Sequence, residues 1–311
     1  MAVLYNSSGG GVADAEAWRT AFRKLDPAIK LRVWPDTGPV EEIEFVLAWQ
    51  PKPGDLNRYP NLKAAFWLGA GVDWLLRQKD LPDVPFVRLV DPGLTAGMTE
   101  YVVLHTLRYH RRQPEIEAAQ RRREWIDIDY PLPWNRRVGI LGLGVLGSDA
   151  ARKLKALDFD VAGWSRTPKA IDGVTGFHGE DQLQAFLARS EILVCLLPLT
   201  RATRGMVDAK LLAALPRGAC FINAARGGHV VDADLLAALD SGQIAHATLD
   251  VFHTEPLPAD HPFWTHPGVT VTPHIASITH AETAAAGIYE GMKRARAGLK
   301  LDNTVDFERG Y

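Results

Sequence analysis

Short apolar runs alternate with amphipathic stretches along most of the chain, and the runs break off at glycine, proline or polar residues. Residues 1–5, 31–34, 45–49, 64–68 and 86–90 read as strands, because a brief apolar run bounded by turn residues is how a strand buried on both faces looks. A glycine loop at 9–11 and a helix over 13–24 separate the first two. Helices are expected over 98–112, 148–157, 232–241 and 281–298. Further strands are expected over 138–141, 159–164, 191–197, 219–222, 245–251 and 269–271. Strands separated by helices or loops of this size predict parallel sheets with helical cover. At 311 residues the chain is too long for one ordinary core and suits two domains.

The stretch 137–166 organises the rest. It reads RVGILGLGVLGSDAARKLKALDFDVAGWSR. A strand runs into Gly142, Gly144 and Gly147; a helix follows, with Ala151, Leu154 and Leu157 at helical spacing; a second strand ends at Trp164. Strand, GxGxxG turn, helix and strand within about 30 residues form a dinucleotide-binding unit. Gly142 serves the tight turn, Gly144 lets amides approach a pyrophosphate, and Gly147 lets the helix lie close to the strand. Val145 and Leu146 sit at the helix N-terminus, whose free N–H groups and partial positive charge face the phosphates. Sites that take NAD place Asp or Glu at the end of the second strand. Here Ser165-Arg166-Thr167 stands there, with Lys169 just beyond. A guanidinium fork and two hydroxyls suit a 2′-phosphate, so the expected cofactor is NADP(H). The structural alternative for Arg166 is a solvated loop arginine.

Composition narrows the class. Apolar residues make up 47% and charged residues 23%, which describes a globular protein. The net charge of −2 implies no bulk attraction to nucleic acid. No apolar run approaches membrane-spanning length, and MAVLYNSSGGG lacks the basic start and apolar core of a secretory signal, so a cytoplasmic protein is expected. Cys195 and Cys220 each lie in an apolar run and read as buried thiols rather than a disulfide or metal pair; no metal site is expected. Arg111, Arg112, Arg121, Arg122 and Arg123 read as a solvated helix face. The segment 125–134, WIDIDYPLPW, is an extended aromatic arm, and its apolar character points to burial against another subunit.

Arg226, Glu255 and His274 each lie just past a strand in the second half of the chain. A guanidinium fork binds a carboxylate, a histidine can pass one proton near neutral pH, and a carboxylate beside it orients the ring and stabilises the imidazolium. Reduction of a 2-oxo acid facing a nicotinamide needs such a set. Read singly, each has an ordinary alternative: Arg226 as an ion-pair partner, Glu255 as a solvated loop acid, His274 as a buried ring. Gly69-Ala70-Gly71 after a strand exposes amides suited to a carboxylate, or is simply a glycine turn. Trp49 at another strand end is a ligand wall or core.

Seven stretches carry a family resemblance: LGAGVD (68–73), GLGVLG (142–147), WSR (164–166), LPLT (197–200), INAARG (222–227), LDVFHTEPLP (249–258) and TPHIAS (272–277). On these the chain resembles the D-isomer-specific 2-hydroxyacid dehydrogenase family, and within it the glyoxylate/hydroxypyruvate reductase A group. The resemblance implies two doubly wound parallel-sheet α/β domains. A Rossmann dinucleotide-binding domain (98–282) is inserted into a discontinuous flavodoxin-like substrate domain (1–97 and 283–311). It implies Arg226, Glu255 and His274 as catalytic residues, with Trp49, Ala70, Gly71, Arg226 and His274 at the substrate. Around the cofactor it adds Leu197, Pro198, Thr203, Ala224, Ala225, Arg226, Asp250, His274 and Ala276 to the glycine turn and to Ser165, Arg166 and Thr167. The implied activity is NADPH-dependent reduction of glyoxylate, hydroxypyruvate and similar small 2-oxo acids to D-2-hydroxy acids by a homodimer. The competing expectations are an NAD-linked dehydrogenase of another substrate range and a non-catalytic nucleotide-sensing protein on the same scaffold.

Overall fold

The computed structural model describes residues 1–8 and 12–310, so the glycine loop read at 9–11 lies outside the described residues. In chain order the elements begin with β1 (Ala2–Ser7), α1 (Val12–Leu25), β2 (Lys30–Val33), β3 (Ile43–Trp49), β4 (Ala64–Trp67), β5 (Phe86–Arg88), α2 (Pro92–His110) and α3 (Gln113–Arg122). They continue with β6 (Arg137–Leu141), α4 (Val145–Ala156), β7 (Asp160–Ser165), β8 (Thr175–His178), α5 (Leu183–Arg189), β9 (Ile192–Cys195) and α6 (Ala209–Ala213). Last come β10 (Ala219–Asn223), α7 (Asp232–Asp240), β11 (Ile244–Leu249), β12 (Val269–Val271) and α8 (Ala281–Arg296). The chain divides into two compact units: Met1–Leu94 together with the segment from Ile278 onward, and Thr95–Ser277.

The first unit holds a five-stranded sheet in the order β2-β1-β3-β4-β5, every pairing parallel. Its central strands are apolar on both faces because both faces are covered: Val3, Leu4, Phe45, Val46 and Leu47 are fully buried. Helices α1 and α8 lie against one another in this unit. The indole of Trp67 in β4 stacks on Trp74, with ring centroids 5.3 Å apart, and meets Trp49 at a tilt, with centroids 5.0 Å apart. Each buried large apolar side chain contributes about 1.5–3 kcal/mol, so the short strands are held by their burial more than by their length.

The second unit holds a seven-stranded sheet in the order β12-β11-β10-β9-β6-β7-β8, again all parallel. The strand order reverses direction at β6 and β9, the crevice where open α/β sheets bind their ligands. Leu141 and Cys195 end these two strands side by side, and the Leu196 amide donates to the Leu141 carbonyl at 2.8 Å. Cys195 is buried and Cys220 half-buried, both are free of disulfides, and desolvation pushes each thiol up to about 12.

Several elements differ from the sequence expectation. Helix α2 starts at Pro92, well before the expected start at 98. Asp91 Oδ2 accepts the Leu94 amide at 2.8 Å, an N-cap, and proline at the first helical position has no N–H to lose. Helix α4 begins at Val145 rather than 148. β8, α5 and α6 are not foreseen: TGFH has no apolar run, and helices of seven and five residues are too short to display a period.

Candidate active site

The glycine turn after β6 is built by steric necessity. Gly142 has φ +105°, a region closed to side chains, and a Cβ there would lie 2.7 Å from the Leu196 carbonyl oxygen. A Cβ on Gly147 would lie 1.9 Å from the Gly142 carbonyl oxygen, so only glycine lets α4 approach this closely. Gly144 is the opposite case: a Cβ would meet nothing within 4 Å, leaving open space in front of the first turn of α4. The amides of Val145, Leu146 and Gly147 have no helical carbonyl to donate to and face that space with the positive end of the helix. Turn, open space and free donors fit a dinucleotide pyrophosphate.

At the end of β7, Ser165 Oγ donates to the Thr167 carbonyl at 2.7 Å, a turn that carries the exposed Arg166 at its apex. The sequence over 164–170, WSRTPKA, has no Asp or Glu. Leu197 is buried and Pro198 exposed beyond β9. Thr203 Oγ1 donates to the Pro198 carbonyl at 2.6 Å and accepts the Thr200 amide at 2.8 Å, so its hydroxyl closes the 198–203 turn. Ala224 and Ala225 are buried after β10.

Arg226, Glu255 and His274 are brought together in this unit. His274 Nδ1 lies 2.7 Å from Glu255 Oε2, and the Phe252 amide donates to Glu255 Oε1 at 2.9 Å. Burial pushes the Glu255 carboxyl up. The His274 hydrogen bond, the Phe252 amide and the charges of His274 and Arg226 outweigh it and hold the group below the usual carboxylate range. Arg226 extends from the end of β10, and its Nη1 donates to the Ala225 carbonyl at 2.7 Å.

His274 is held by main-chain constraint. Its φ is +54°, rare for a residue with a side chain, and strained backbone of this kind gathers at functional sites. Asp250, 1% exposed at the end of β11, organises the loop around it. Asp250 Oδ1 accepts from Thr272 Oγ1 at 2.6 Å and from the Ile275 amide at 2.9 Å. Its Oδ2 accepts the Ala276 amide at 2.9 Å, and its carbonyl accepts the His274 amide at 2.8 Å. Tyr101 of α2 hydrogen-bonds Thr272 Oγ1 at 2.7 Å; since Thr272 donates to Asp250, the Tyr101 hydroxyl is the donor. Sequence reading named Asp250 and Ala276 but neither Tyr101 nor Thr272, whose roles depend on contacts across the fold. His105 is packed against Tyr101 and 6% exposed, and burial with the nearby Arg108 charge lowers it to about 4.

In the first unit, residues 69–71 form an uncapped turn after β4. The amides of Ala70 and Gly71 donate to no described residue, while three carbonyls around them are tied. Leu68 O accepts from Thr279 Oγ1 at 3.1 Å, Gly69 O from the Leu89 amide at 3.2 Å, and Gly71 O from the Trp67 indole at 2.8 Å. A turn anchored through the carbonyls of Leu68, Gly69 and Gly71 with its donors open is suited to an anion. The Trp49 ring covers Gly69, whose Cβ would lie 2.4 Å from it.

Among the described residues no group of His, Cys, Asp and Glu could hold a metal ion, and no helix is long and apolar enough to cross a membrane. Residues 103–276 match the family model described as D-isomer specific 2-hydroxyacid dehydrogenase, NAD binding domain. A glyoxylate/hydroxypyruvate reductase A of Yersinia enterocolitica is 43% identical over 304 residues, 96% of this chain and 97% of its own. A D-isomer specific 2-hydroxyacid dehydrogenase of Xanthobacter autotrophicus, solved with NADPH and MES, is 47% identical, with TM-score 0.96 over 100% of this chain and 99% of that one. An NADPH-dependent glyoxylate/hydroxypyruvate reductase of Sinorhizobium meliloti, solved with NADP and sulfate, is 39% identical, with TM-score 0.91 over 100% of this chain and 99% of that one. With likeness of this extent running through both sheets and both glycine turns, the chain belongs to the D-isomer specific 2-hydroxyacid dehydrogenase family.

Proposed function

We propose that this protein is an NADPH-dependent reductase that converts small 2-oxo acids, glyoxylate and hydroxypyruvate among them, into D-2-hydroxy acids. The observation that carries the reading is the 2.7 Å pair of His274 Nδ1 and Glu255 Oε2 with the Arg226 charge beside it, on the same sheet as the Gly142 turn. The seven-stranded unit takes the dinucleotide and the five-stranded unit the substrate carboxylate. The first-turn amides of α4, from Val145 to Gly147, hold the pyrophosphate. Ser165, Arg166 and Thr167 take the 2′-phosphate; Leu197, Pro198 and Thr203 border the adenosine half; Ala224, Ala225 and Ala276 line the approach to the nicotinamide. The bound reduced nicotinamide supplies a hydride for C2 of the substrate.

The chain's own residues do the rest. Arg226 holds the carboxylate and polarises the carbonyl, and the Ala70 and Gly71 amides take further carboxylate oxygens. Glu255 occupies Nδ1 of His274, which leaves Nε2 to give its proton to the substrate oxygen as negative charge develops there. Asp250 keeps that imidazole in place through the 272–276 loop. One hydride and one proton enter, and a 2-hydroxy acid leaves. Trp49 limits the side chain that fits beside the carboxylate.

The partner is a second copy of the chain. In the arm at 125–134, Trp125 is 97% and Trp134 58% exposed, an apolar surface that association would cover. Light scattering should return twice the 34.2 kDa chain mass, and a monomer would end this part of the reading. The working compartment is the cytoplasm, where two free thiols remain reduced. The central test is a steady-state assay of NADPH and NADH consumption across a panel of 2-oxo acids. NADPH-linked turnover of glyoxylate or hydroxypyruvate is expected, and NADPH binding without turnover would replace the enzyme with a sensor.

A further inference from the structure

Trp67 belongs to the buried face of β4, is 1% exposed, and looks like core. One contact sets it apart. Its indole Nε1 donates to the Gly71 carbonyl at 2.8 Å, folding the chain back over the turn whose amides are open. Its ring stacks on Trp74, with centroids 5.3 Å apart, and meets Trp49 at a 40° tilt, with centroids 5.0 Å apart. These two aromatic neighbours restrict the Trp67 ring, and with it the donor that holds the Gly71 carbonyl. A peptide plane carries the C=O of one residue and the N–H of the next, so Leu89 at Gly69 O fixes the plane of the Ala70 amide directly, and Trp67 at Gly71 O fixes the following plane and restrains the Gly71 amide through the Gly71 Cα.

We propose that Trp67 is a positioning residue for the substrate carboxylate: its indole N–H holds the 69–71 turn in the arrangement that aims the Ala70 and Gly71 amides at one oxyanion. This deepens, and rests on, the reading of the protein as a 2-oxo acid reductase. Trp67 touches no reacting atom in this scheme. Its removal weakens carboxylate binding without changing the proton donor pair or the dinucleotide turn.

The test is Trp67→Phe, which keeps an aromatic ring in the stack and deletes the donor. Trp74→Phe is the control, because Trp74 flanks the same ring and makes no bond to the turn. KM for glyoxylate and the inhibition constant of oxamate, an unreactive carboxylate analogue, should both rise about fivefold, the usual worth of one hydrogen bond. In the same variant kcat and NADPH affinity should stay at the wild-type level, and Trp74→Phe should leave all four unchanged. An unmoved KM and oxamate constant in folded Trp67→Phe overturns the proposal. So does an equal change in Trp74→Phe or a loss of NADPH affinity, since either marks general disturbance. A measurement on the wild type removes dependence on the variant's folding: the Trp67 indole 15N–1H resonance should shift on saturation with oxamate in the NADPH complex, and a resonance that stays put overturns the assignment. A wild type that reduces no 2-oxo acid overturns the functional reading underneath. Normal wild-type turnover with an unaffected Trp67→Phe overturns this inference alone.

Discussion

The two glycine turns, at 69–71 and 142–147, both follow a parallel strand and both present amides, yet they are held in different ways. The second is self-contained. Gly142 supplies the positive φ, Gly147 the close approach, and α4 starts at once with its dipole behind the amides. The first has no helix behind it. Leu89 and Thr279, distant in sequence, tie its carbonyls together with Trp67. A turn backed by a helix is preorganised by local covalent structure, whereas a turn held by scattered donors is only as rigid as the core that carries them. The units differ in a second respect. The seven-stranded one adds the side chains of Arg226, Glu255 and His274, the proposed chemical groups, while the five-stranded one offers main-chain donors.

Substitutions should therefore act differently in the two units. The largest effect is expected from His274→Ala, which removes the proposed proton donor: kcat should fall on the order of 10²–10⁴-fold, with NADPH affinity retained because the proposed phosphate contacts lie on the glycine turn. Near-normal turnover, measured by NADPH consumption, would move the chemistry out of the side chains of this unit. Next is Arg166→Ala. Loss of one charge-assisted contact to a 2′-phosphate should lower kcat/KM for NADPH by about ten- to a hundredfold and leave NADH nearly unchanged. Equal losses with both cofactors would deny Arg166 that role.

Gly69→Ala tests the other unit. The new methyl would lie 2.4 Å from the Trp49 ring, and the ring must move. Overpacking of this kind costs about 1–3 kcal/mol. KM for 2-oxo acids should rise several-fold while NADPH binding is unaffected. A drop in NADPH affinity, measured by fluorescence titration, would break the separation of the two turns.

The smallest effect concerns pH. The folded-state pKa of Glu255 lies below its ordinary value of 4.5 because its hydrogen bonds and neighbouring cations outweigh burial. Any stability that Glu255 contributes is therefore complete above the ordinary value and is lost only as pH falls through the lower folded one. The pair with His274 should persist through mildly acid conditions, and the pH–rate profile of reduction should show no acid limb from Glu255 above about pH 5. An acid limb well above that, shifted in Glu255→Gln, would contradict the depressed carboxylate.

By itself the sequence pattern determined the apolar strands, parallel sheets with helical cover and the dinucleotide turn, because these depend on neighbours a few residues apart: a run of buried residues, a GxGxxG spacing, a helix that follows at once. Arg226, Glu255 and His274 were legible as candidates from residue type and position after strands, but their meeting was not, since 2.7 Å between His274 and Glu255 arises from the order of β10, β11 and β12 in one sheet. The early start of α2 at Pro92 and the short β8, α5 and α6 escaped the pattern because a cap and a few half-exposed residues display no period. Asp250 as the centre of the His274 loop, Tyr101 behind Thr272, and Trp67 over the 69–71 turn were decided only in three dimensions. Each is a polar group whose partner lies on another element or beyond a bend in the chain, and only the folded core brings donor and acceptor within 3 Å.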